Sequence, residues 1–555
     1  MLSRLAFEYT RLTTLLAERL QGNFYLYLAA LLSFGVLVDA SVFHVGANMK
    51  QKAFDFVVKH RIVTPKPDPD IVIVDINEAS LAALAPEYGR WPWPRQVFGE
   101  FVEKLEAQKP RAIVFDILFS DADLQNPDSD AYFNDIISAA DNIFFPFLRL
   151  PEQHDALSQV KPGMIPGSLA IDGKGDPKAT VAVVLPHFEG ALKAGRLGTH
   201  NIEPDADGVS REYRLWHDKD GWRLPSLPLQ VGDYVRSNAA QPPQNMLLNW
   251  RGGPFTYHSI SFSDVYQDMT AKVPKRPASE FAGKIVIIGS TAPSLFDLKA
   301  TPMAKLHPGV EILATAIDNL KHDDDLKFWR GQTPYILLSF LTIWLTAWAF
   351  YRDIERERFD KLFARSQLLL LTISYIGLNL SDFYIDLTAP VTWAVACFGI
   401  AKIYALANDR ANVHQLNRVA TTGAGSSIVL AAILLDSRTP LGDAVMLKLR
   451  RALENEPGCT RTVEILKGVH AGTWALFGEI LLINWRDANA EKAPEDVLRL
   501  IDRLPELLKQ AGVPSKINIR HALQQTVLDH EKPAAPQWRS LFAQAVLKLE
   551  QGSNT

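Results

Sequence analysis

The chain has 555 residues, which is enough for two or three domains that each bury a core. Hydrophobic residues make up 47% of it, a fraction that excludes a wholly membrane-embedded protein and allows a globular protein with added membrane segments. Its 58 basic and 62 acidic residues leave a net charge of -4. No basic stripe with interleaved aromatic residues is present, so the sequence gives no indication of a nucleic-acid partner.

The first predicted element is an apolar stretch at residues 24–43, FYLYLAALLSFGVLVDASVF. Its length is about what an α-helix needs to cross the roughly 30 Å of hydrocarbon in a bilayer. The stretch is too long for the core of a cleavable signal peptide, and residues 1–23 precede it as a tail. We therefore predict an uncleaved transmembrane anchor after a cytoplasmic N-terminal tail.

Strands and helices alternate in the next segment, residues 44–333, which we predict to lie outside the membrane. Residues 71–76 (IVIVDI) are apolar on both faces, which is typical of a buried parallel strand. Helical stretches near 95–108 and 130–140 separate this strand from the next ones. The predicted strands are 71–76, 112–118, 143–147 and 284–289. This alternation predicts right-handed crossovers and a mainly parallel sheet in an α/β domain.

Eight short motifs in this segment carry a resemblance to a known family. They are, in order, 75–81 (DINEASL), 90–95 (RWPWPR), 114–119 (VFDILF), 205–211 (DADGVSR), 249–252 (NWRG), 283–291 (GKIVIIGST), Asp297 with Thr301-Pro302, and 308–311 (PGVE). In this order, with one span before them and three after, the sequence resembles the second type of CHASE sensory domain, the extracytoplasmic module of many bacterial receptors. Asn77 departs from the family, which more often has an acid there. The resemblance implies a domain that senses an extracytoplasmic stimulus.

The carboxyl ends of the predicted strands carry polar residues, and ligands of open parallel sheets bind beyond that edge. Asp75 and Asp116 end two strands that one crossover joins, which places them at neighbouring strand ends. We predict a polar ligand pocket there. Its candidate residues are Asp75, Glu78, Asp116, Ser290 and Thr291. The alternative is structural: Asp75 and Ser80 cap helices, and Asp116 accepts hydrogen bonds from loop amides.

A proline-rich stretch before the helix near 95–108 adds three more candidate ligand-binding residues, Trp91, Trp93 and Arg95. Prolines hold the two indole rings, so that they are able to stack a sugar or a base. The alternative, which is the commoner role of such a stretch, is a rigid wedge that seals the helix against the sheet.

No metal site is predicted in the outer domain. Asp116, Asp121 and Asp123 are spaced loosely for calcium, but no glycine turn and terminal glutamate complete an ion-binding loop. The histidines lack zinc-ligand spacing. They are His200, His258, His307 and His322. We expect no cofactor either.

Three more apolar stretches follow the outer domain, within residues 334–407. They are 335–351, 367–385 and 387–407. Each is long enough to cross a bilayer, so the chain is predicted to have four transmembrane helices. The alternative is that one or two of the stretches are core helices of a soluble protein. The stretch 367–385, interrupted by Asn379 and Asp382, is the least typical span.

Basic residues beside the apolar stretches determine the predicted orientation. The segment 352–366 carries five of them, whereas the turn before residue 387 carries Asp382 and Asp386 and no Lys or Arg. Arginines also lie in the N-terminal tail and follow the last span. We therefore predict that both termini are cytoplasmic and that residues 44–333 are periplasmic, in the inner membrane of a bacterium.

After a linker at 408–425, the chain ends in a small predicted cytoplasmic domain, residues 426–555. Its stretches follow the order βαββαβ, with one more helix at the end. They are strands 427–435, 461–467, 474–484 and 515–521 and helices 440–454, 494–511 and 537–550. This order is that of the split βαβ unit, so we predict an α+β, ferredoxin-like fold.

Receptors of the family that this chain resembles often carry a nucleotide cyclase or diguanylate cyclase here, and both have a palm of this element order. Asp436 ends the first strand, where such a palm holds a metal-binding carboxylate. A two-metal mechanism needs a second acid nearby, and the predicted hairpin 468–473 (GVHAGT) has none. We predict no catalytic residues and a degenerate cyclase-like domain. An active cyclase with atypical metal ligands is the alternative.

Together these features predict a transmembrane signalling receptor that relays an extracytoplasmic stimulus to a non-catalytic cytoplasmic domain. The expected partners are an extracytoplasmic ligand or envelope protein, the lipid bilayer and a cytoplasmic protein. We also expect a homodimer, and no nucleic acid among the partners.

Overall fold

The computed structural model describes residues 23–193, 195–236, 243–329, 331–352, 356–421, 427–436, 449, 462–466, 479–486, 493–510, 517–527, 529 and 534–550. The chain forms two compact units. The first, called here the sensor unit, consists of Gln51–Arg330 and Ile373–Asp386. The second, called the anchor unit, consists of Met1–Lys50, Gly331–Thr372 and Leu387–Thr555.

Helices and strands alternate through most of the described residues. The helices are α1 (Phe24–Val38), α2 (Val45–Lys59), α3 (Glu78–Tyr88), α4 (Arg95–Glu106), α5 (Pro127–Ala139), α6 (Leu227–Val235), α7 (Phe262–Thr270), α8 (Gly309–His322), α9 (Thr333–Tyr351), α10 (Arg356–Leu380), α11 (Thr388–Thr421), α12 (Ala493–Gln510) and α13 (Ala534–Glu550). The strands are β1 (Ile71–Asp75), β2 (Ala112–Phe115), β3 (Ile143–Arg149), β4 (Leu169–Ala170), β5 (Val183–Val184), β6 (Leu197–Thr199), β7 (Glu212–Arg214), β8 (Trp216–Lys219), β9 (Trp222–Pro225), β10 (Asn245–Leu247), β11 (His258–Ser261), β12 (Ile285–Gly289), β13 (Leu298–Lys299), β14 (His307–Pro308), β15 (Lys327–Phe328), β16 (Phe383–Tyr384), β17 (Ser427–Asp436), β18 (Thr462–Leu466), β19 (Glu479–Arg486) and β20 (Asn518–Val527).

A seven-stranded sheet forms the centre of the sensor unit, in the order β11-β1-β12-β2-β3-β5 with β6 also beside β3. Its pairs are parallel except for β3 with β5, which confirms the mainly parallel sheet. Strand β12 lies between β1 and β2, because Ile287 pairs with Ile73 on one side and with Val114 on the other. The expectation that Asp75 and Asp116 end neighbouring strands is therefore wrong.

Helices cover both faces of this sheet, because its strands are apolar on both sides. The core on one face contains Val72 and Val74 of β1, Phe98 and Phe101 of α4, and Phe262 of α7. The core on the other face contains Ile73 of β1, Ile287 of β12, Val231 of α6, and Leu313 and Ile317 of α8. The carboxyl ends of the strands therefore meet at one edge of a rigid, packed layer.

Three helices of the described residues are long and apolar enough to cross a membrane. They are Phe24–Phe43, Thr333–Tyr351 and Thr388–Ala405. The predicted span at 367–385 lies in α10, which begins in a charged segment and ends at Leu380. Its apolar part, 367–380, reaches about 21 Å at ~1.5 Å per residue, which is shorter than the roughly 30 Å of a bilayer core. The span at 367–385 therefore stays a prediction.

The end of the predicted span 367–385 and the turn that follows it, Ile373–Asp386, belong to the sensor unit. The hydroxyl of Tyr375 donates to the carbonyl oxygen of His60 at 2.5 Å. The side-chain oxygen of Asn379 accepts hydrogen bonds from the N–H groups of Ile62 at 2.8 Å and Val63 at 3.2 Å. The sensor unit therefore differs from the predicted segment 44–333: it begins at Gln51, its main segment ends at Arg330, and it also contains Ile373–Asp386, which the sequence assigns to the membrane region.

Asp39, the acid inside the first predicted span, ends the apolar helix α1. One turn of π-helix follows it, and His44 then has a left-handed backbone conformation with φ of 53°. The Asp39 carboxylate accepts hydrogen bonds from the N–H groups of Val45 and Gly46, both at 2.9 Å, and from the hydroxyl of Tyr335 at 2.8 Å. Asp39 therefore satisfies the first free amides of α2, in the manner of a helix cap.

Four antiparallel strands form a sheet near the end of the chain, in the order β18-β19-β17-β20. Ala431 and Ile433 of β17 pack against Leu500 and Leu504 of α12. The strands predicted at 427–435 and 461–467 are present within the described residues, those predicted at 474–484 and 515–521 overlap β19 and β20, which end later than predicted, and the helices predicted at 494–511 and 537–550 are present.

Two features that matter for the cyclase alternative lie mostly outside the described residues. The predicted hairpin 468–473 is one of them, and the predicted helix 440–454 is the other, apart from Leu449. Asp436 is the last residue of β17, where its backbone pairs with that of Asn518, as the sequence predicts for the end of the first strand.

Candidate functional site

Asp75, at the end of β1, is held by the loop that follows β12. One carboxylate oxygen accepts a hydrogen bond from the N–H of Thr291 at 2.8 Å, and the other accepts one from the Thr291 hydroxyl at 2.6 Å. Beside them, the Ser290 hydroxyl donates to the carbonyl oxygen of Ile76 at 2.7 Å. Burial raises the pKa of Asp75, although both hydrogen bonds from Thr291 favour its charged form. This half of the predicted pocket is therefore a junction between two loops.

Glu78 and Asn77 complete the junction. A carboxylate oxygen of Glu78 accepts a hydrogen bond from the N–H of Ser294 at 2.9 Å. Asn77 is the N-cap of α3, and its side-chain oxygen accepts the N–H of Ser80 at 2.8 Å. The N-cap of α3 is Asn77, so the expectation that Asp75 caps a helix is wrong, whereas the hydroxyl oxygen of Ser80 does accept the N–H of Ser263, in the first turn of α7, at 3.2 Å. Asparagine and aspartate are equally good N-caps, so the departure of Asn77 from the family pattern preserves capping.

Replacing Asp75 by alanine is expected to lower the free energy of unfolding by about 1–3 kcal/mol, because the N–H and hydroxyl of Thr291 lose their acceptor. Urea denaturation of the full-length protein, followed by tryptophan fluorescence, measures this change. Asp121→Ala, in an exposed loop position, is the control and should stay within about 0.5 kcal/mol of the wild type. An Asp75→Ala protein as stable as this control would contradict the structural role.

The proline-rich stretch forms a wedge in the core. Trp93 is 1% exposed and packs against Phe98 and Phe262, so it is closed to a ligand. Trp91 meets the Trp93 ring edge-on and is partly exposed. The guanidinium of Arg95 lies 5.2 Å from the centre of the Phe119 ring. Of the three candidates in this stretch, the structure therefore gives Trp93 the structural role.

Asp116, which follows β2, differs from Asp75 in its surroundings. Its side chain is 2% exposed, and the Nδ1 atom of His200 lies 3.0 Å from its Oδ1 atom. This contact lacks hydrogen-bond geometry, and neither atom has a hydrogen-bond partner within the described part of the chain. The Oδ1 atom of Asp116 therefore accepts no loop amide, contrary to the structural alternative for this residue.

Three further polar side chains lie around this carboxylate. The hydroxyl of Tyr213 is buried, and it too has no hydrogen-bond partner among the residues described. Burial raises the pKa of Tyr213, and the charges of Asp116 and Asp297 raise it further. The Nζ atom of Lys299 lies 3.5 Å from a carboxylate oxygen of Asp297. We call these residues, Asp116, His200, Tyr213, Asp297 and Lys299, the Asp116 cluster.

The pKa of Asp116 is raised to about 6: burial is the largest cause, the charge of His200 opposes it, the charge of Asp297 adds to it, and the charge of Lys299 opposes it. A carboxylate out of water is unstable in its charged form unless hydrogen bonds or an opposite charge compensate. The cluster is therefore suited to take up a proton, a cation or a hydrogen-bond donor at Asp116.

The sequence gives little sign of the other four members of the cluster. His200 follows β6, and Tyr213 lies within β7. Each of these strands has three residues, which is too short for an alternating pattern to be recognised in the sequence. Asp297 belongs to one of the eight motifs, and Tyr213 follows another. Those motif positions are the signal that was available for the site.

One group of the described residues has the spacing of metal ligands: Asp68, Asp318 and His322. Two cations already neutralise its carboxylates. The Nζ atom of Lys321 lies 2.5 Å from Asp68, and a guanidinium nitrogen of Arg251 lies 2.7 Å from Asp318. The group is therefore a salt-bridge network.

Comparison with known families decides what kind of domain this is. A family model described as the CHASE2 domain matches residues 28–351. The chain belongs to the CHASE2 family. No curated protein and no solved structure matches it. The match confirms the resemblance that the eight motifs carry, and with it an extracytoplasmic sensory domain.

The motif 205–211 of the CHASE2 domain folds around the buried side chain of Arg211. The guanidinium contacts Asp205 at 2.6 Å and Asp207 at 2.7 Å within the motif. It also binds both carboxylate oxygens of Asp55, on α2, at 2.7 Å. The motif therefore ties the end of α2 to the loop beside β7, which makes its role structural.

The motif 249–252 forms a second buried network. The N–H of Asn249 donates to the side chain of Asn319 at 2.8 Å. The Arg251 guanidinium contacts Asp318 and Asp324, both at 2.7 Å, and Tyr257 donates to Asp318 at 2.9 Å. These contacts join the end of α8 to the segment between β10 and β11.

Proposed function

We propose that this CHASE2 protein is a transmembrane signalling receptor of the bacterial inner membrane, which senses a periplasmic stimulus and relays it to the cytoplasm. The apolar helices on either side of Gln51–Arg330, the main segment of the sensor unit, carry the proposal: Phe24–Phe43 precedes this segment in the chain, and Thr333–Tyr351 and Thr388–Ala405 follow it. With the predicted span at 367–385 added to these three helices, the proposed topology has residues 44–333 in the periplasm and both termini in the cytoplasm. The basic residues of 352–366 agree with this orientation.

The proposed topology predicts opposite results for two reporter fusions. Alkaline phosphatase fused after residue 200 should be active in a bacterial host, because the enzyme needs the periplasm, and the same enzyme fused after residue 420 should be inactive. A cytoplasmic reporter such as β-galactosidase at the same two positions is the control and should give the reverse pattern. Active alkaline phosphatase at both positions would rule out the predicted span at 367–385, whereas activity after residue 420 alone would overturn the receptor proposal.

The cytoplasmic domain is proposed to be ferredoxin-like and to act through a protein partner, in a homodimeric receptor. Support comes from its sheet: the order β18-β19-β17-β20 with antiparallel neighbours is the arrangement that a βαββαβ chain adopts when two split βαβ units interlock. The apolar face of β17 against α12 adds a core of its own. We propose no cofactor and no nucleic-acid partner.

The proposed output domain is non-catalytic, and this can be tested against the cyclase alternative. Asp436, at the end of β17, is the observation that favours an enzyme. Membranes containing the full-length chain, incubated with Mg²⁺ or Mn²⁺ and ATP or GTP, should form no cyclic nucleotide above a vector control, because the hairpin 468–473 has no second acid. Product formed by the wild type and lost in Asp436→Ala would establish the enzyme.

A further inference from the structure

The Asp116 cluster holds polar groups that are buried without hydrogen bonds. The Oδ1 atom of Asp116, the Nδ1 atom of His200 and the hydroxyl of Tyr213 all lack a hydrogen-bond partner within the described residues. Native proteins satisfy nearly all buried polar groups, and each exception calls for an explanation such as a ligand that completes the site. Asp75, at the same sheet edge, has both oxygens satisfied, so the unsatisfied oxygen distinguishes Asp116 from the other acid of the predicted pocket.

Two features of the cluster argue against an anionic ligand. Helix α8 begins at Gly309, and helix N-termini favour anions. The carboxylate of Asp297 already occupies this position. It lies so close to Gly309 that a Cβ atom added there would be 2.0 Å from it. The second feature is the charge of the cluster, in which Asp116 and Asp297 are acidic and Lys299 is 40% exposed, with its ammonium at Asp297.

The spacing of the cluster does not match that of a metal centre. Of the described residues, Asp68, Asp318 and His322 form the one group with ligand atoms close enough together for an ion. In the Asp116 cluster, Asp116 and His200 are the close pair, and a third ligand at that distance is missing among the residues described.

We propose that the Asp116 cluster binds a small organic molecule through a protonated amine. This assignment names the stimulus class of the proposed receptor and rests on that function. An ammonium group has three N–H donors and a positive charge. The cluster has the matching acceptors in Asp116 and Tyr213 and a second negative charge in Asp297. Charge-assisted hydrogen bonds of this kind are about twice as strong as neutral ones.

The cluster also has access to solvent. The side chain of His200 is 24% exposed, whereas Asp116 beside it is almost fully buried. His200 is therefore the member of this pair that reaches the solvent, and the proposed amine enters beside it. The bound ammonium then supplies a positive charge and hydrogen-bond donors to Asp116. It stabilises the folded sensor unit, since a ligand that binds the folded state alone raises its stability.

The test measures binding of named amines to the purified full-length protein in detergent at pH 7.5. Thermal unfolding and calorimetric titration are run with methylammonium, ethanolamine and putrescine. Sodium chloride at equal ionic strength, magnesium chloride and glycerol are the control solutes. At least one amine should raise the melting temperature in a saturable way, and the control solutes should not.

Two variants separate the cluster from the rest of the surface. Asp116→Asn should raise the dissociation constant of the amine at least about tenfold, and Tyr213→Phe should raise it severalfold without disturbing the core. Asp75→Asn, at the same sheet edge, is the matched control and should bind as the wild type does. Each variant is first shown to unfold cooperatively, so that loss of binding is read on folded protein.

The outcomes decide the inference independently of the receptor proposal. No saturable effect of any amine, an equal effect in Asp116→Asn, or binding of magnesium or glycerol in place of the amines would each overturn the amine site. The reporter fusions would be unchanged by any of these results. Conversely, amine binding that depends on Asp116 would stand even if the fusions gave another topology.

Discussion

Replacing Asp116 by asparagine is expected to stabilise the sensor unit by about 1–3 kcal/mol at neutral pH. The reason is that burial raises the pKa of Asp116 from its ordinary value of 3.8 to about 6, so its charged form destabilises the fold. Asparagine has nearly the shape of the protonated acid and carries no charge. Urea denaturation of the full-length protein at pH 7.5, in the absence of amines, measures the difference.

The stability difference between the wild type and Asp116→Asn should depend on pH. A carboxylate with a raised pKa in the folded state contributes stability that is fully present below about pH 4 and is lost as the pH rises through about 6. The wild type and Asp116→Asn should therefore be equally stable near pH 4 and should differ most above pH 6. The charged and titratable groups that face Asp116 are His200, Tyr213, Asp297 and Lys299, and all are present in both proteins.

Asp155→Asn is the matched control for this prediction. Asp155 is also a buried acid of the sensor unit, but Arg149 lies 2.8 Å from it and the N–H of Ala182 donates to it at 2.8 Å. Although burial opposes its charge, these hydrogen bonds hold its pKa below the usual range. The control variant should therefore lose stability at pH 7.5. A loss of stability in Asp116→Asn as well would mean that Asp116 is satisfied in the fold.

Replacing Arg251 by methionine is expected to lower the free energy of unfolding by about 3–5 kcal/mol. The guanidinium and its partner Asp318 have side-chain exposures of only 2% and 1%. Removing the arginine leaves Asp318 buried without its guanidinium partner, although the hydroxyl of Tyr257 at 2.9 Å and the N–H of Asp68 at 3.0 Å still donate to it and His322 lies 3.0 Å away. Denaturation of the full-length protein by urea, monitored by intrinsic fluorescence, measures the loss.

Two further variants test whether the unpaired charge is the cause. Adding Asp318→Asn to Arg251→Met should restore part of the stability, because the double variant has no buried charge left at this position. Arg223→Met, which removes a surface pair with Asp218, should change stability by less than about 1 kcal/mol. If Arg251→Met were as mild as Arg223→Met, the buried network would have no structural importance.

Four strands of the sensor unit (β1, β2, β3 and β12) and two of its helices (α4 and α5) could be predicted, whereas its shorter strands, its other helices and the order of the strands in the sheet could not. Strands such as β1 and β2 are apolar on both faces, and this property is visible in their own residues. The insertion of β12 between them depends on pairing across a long stretch of chain, which no local pattern contains. A crossover joins β1 to β2 in sequence, and the sequence alone suggested that they are neighbours.

The same limit explains the two acids of the predicted pocket. Asp75 and Asp116 each follow an apolar strand, so their sequence surroundings are alike. Their roles differ because Thr291 donates twice to Asp75, while His200 approaches Asp116 without a hydrogen bond. These partners come from distant parts of the chain, and only the folded sheet edge brings them together.

The position of β12 also has a consequence for how the domain is made. A chain delivered N-terminus first exposes β1 and β2 long before residues 285–289 arrive to pair with both. At typical synthesis rates of ~5–20 residues per second, the interval is roughly 10–30 s. During that time the two strands have open edges, which are sites of mispairing and aggregation. The domain is therefore most vulnerable to proteases and most dependent on chaperones before its central strand arrives.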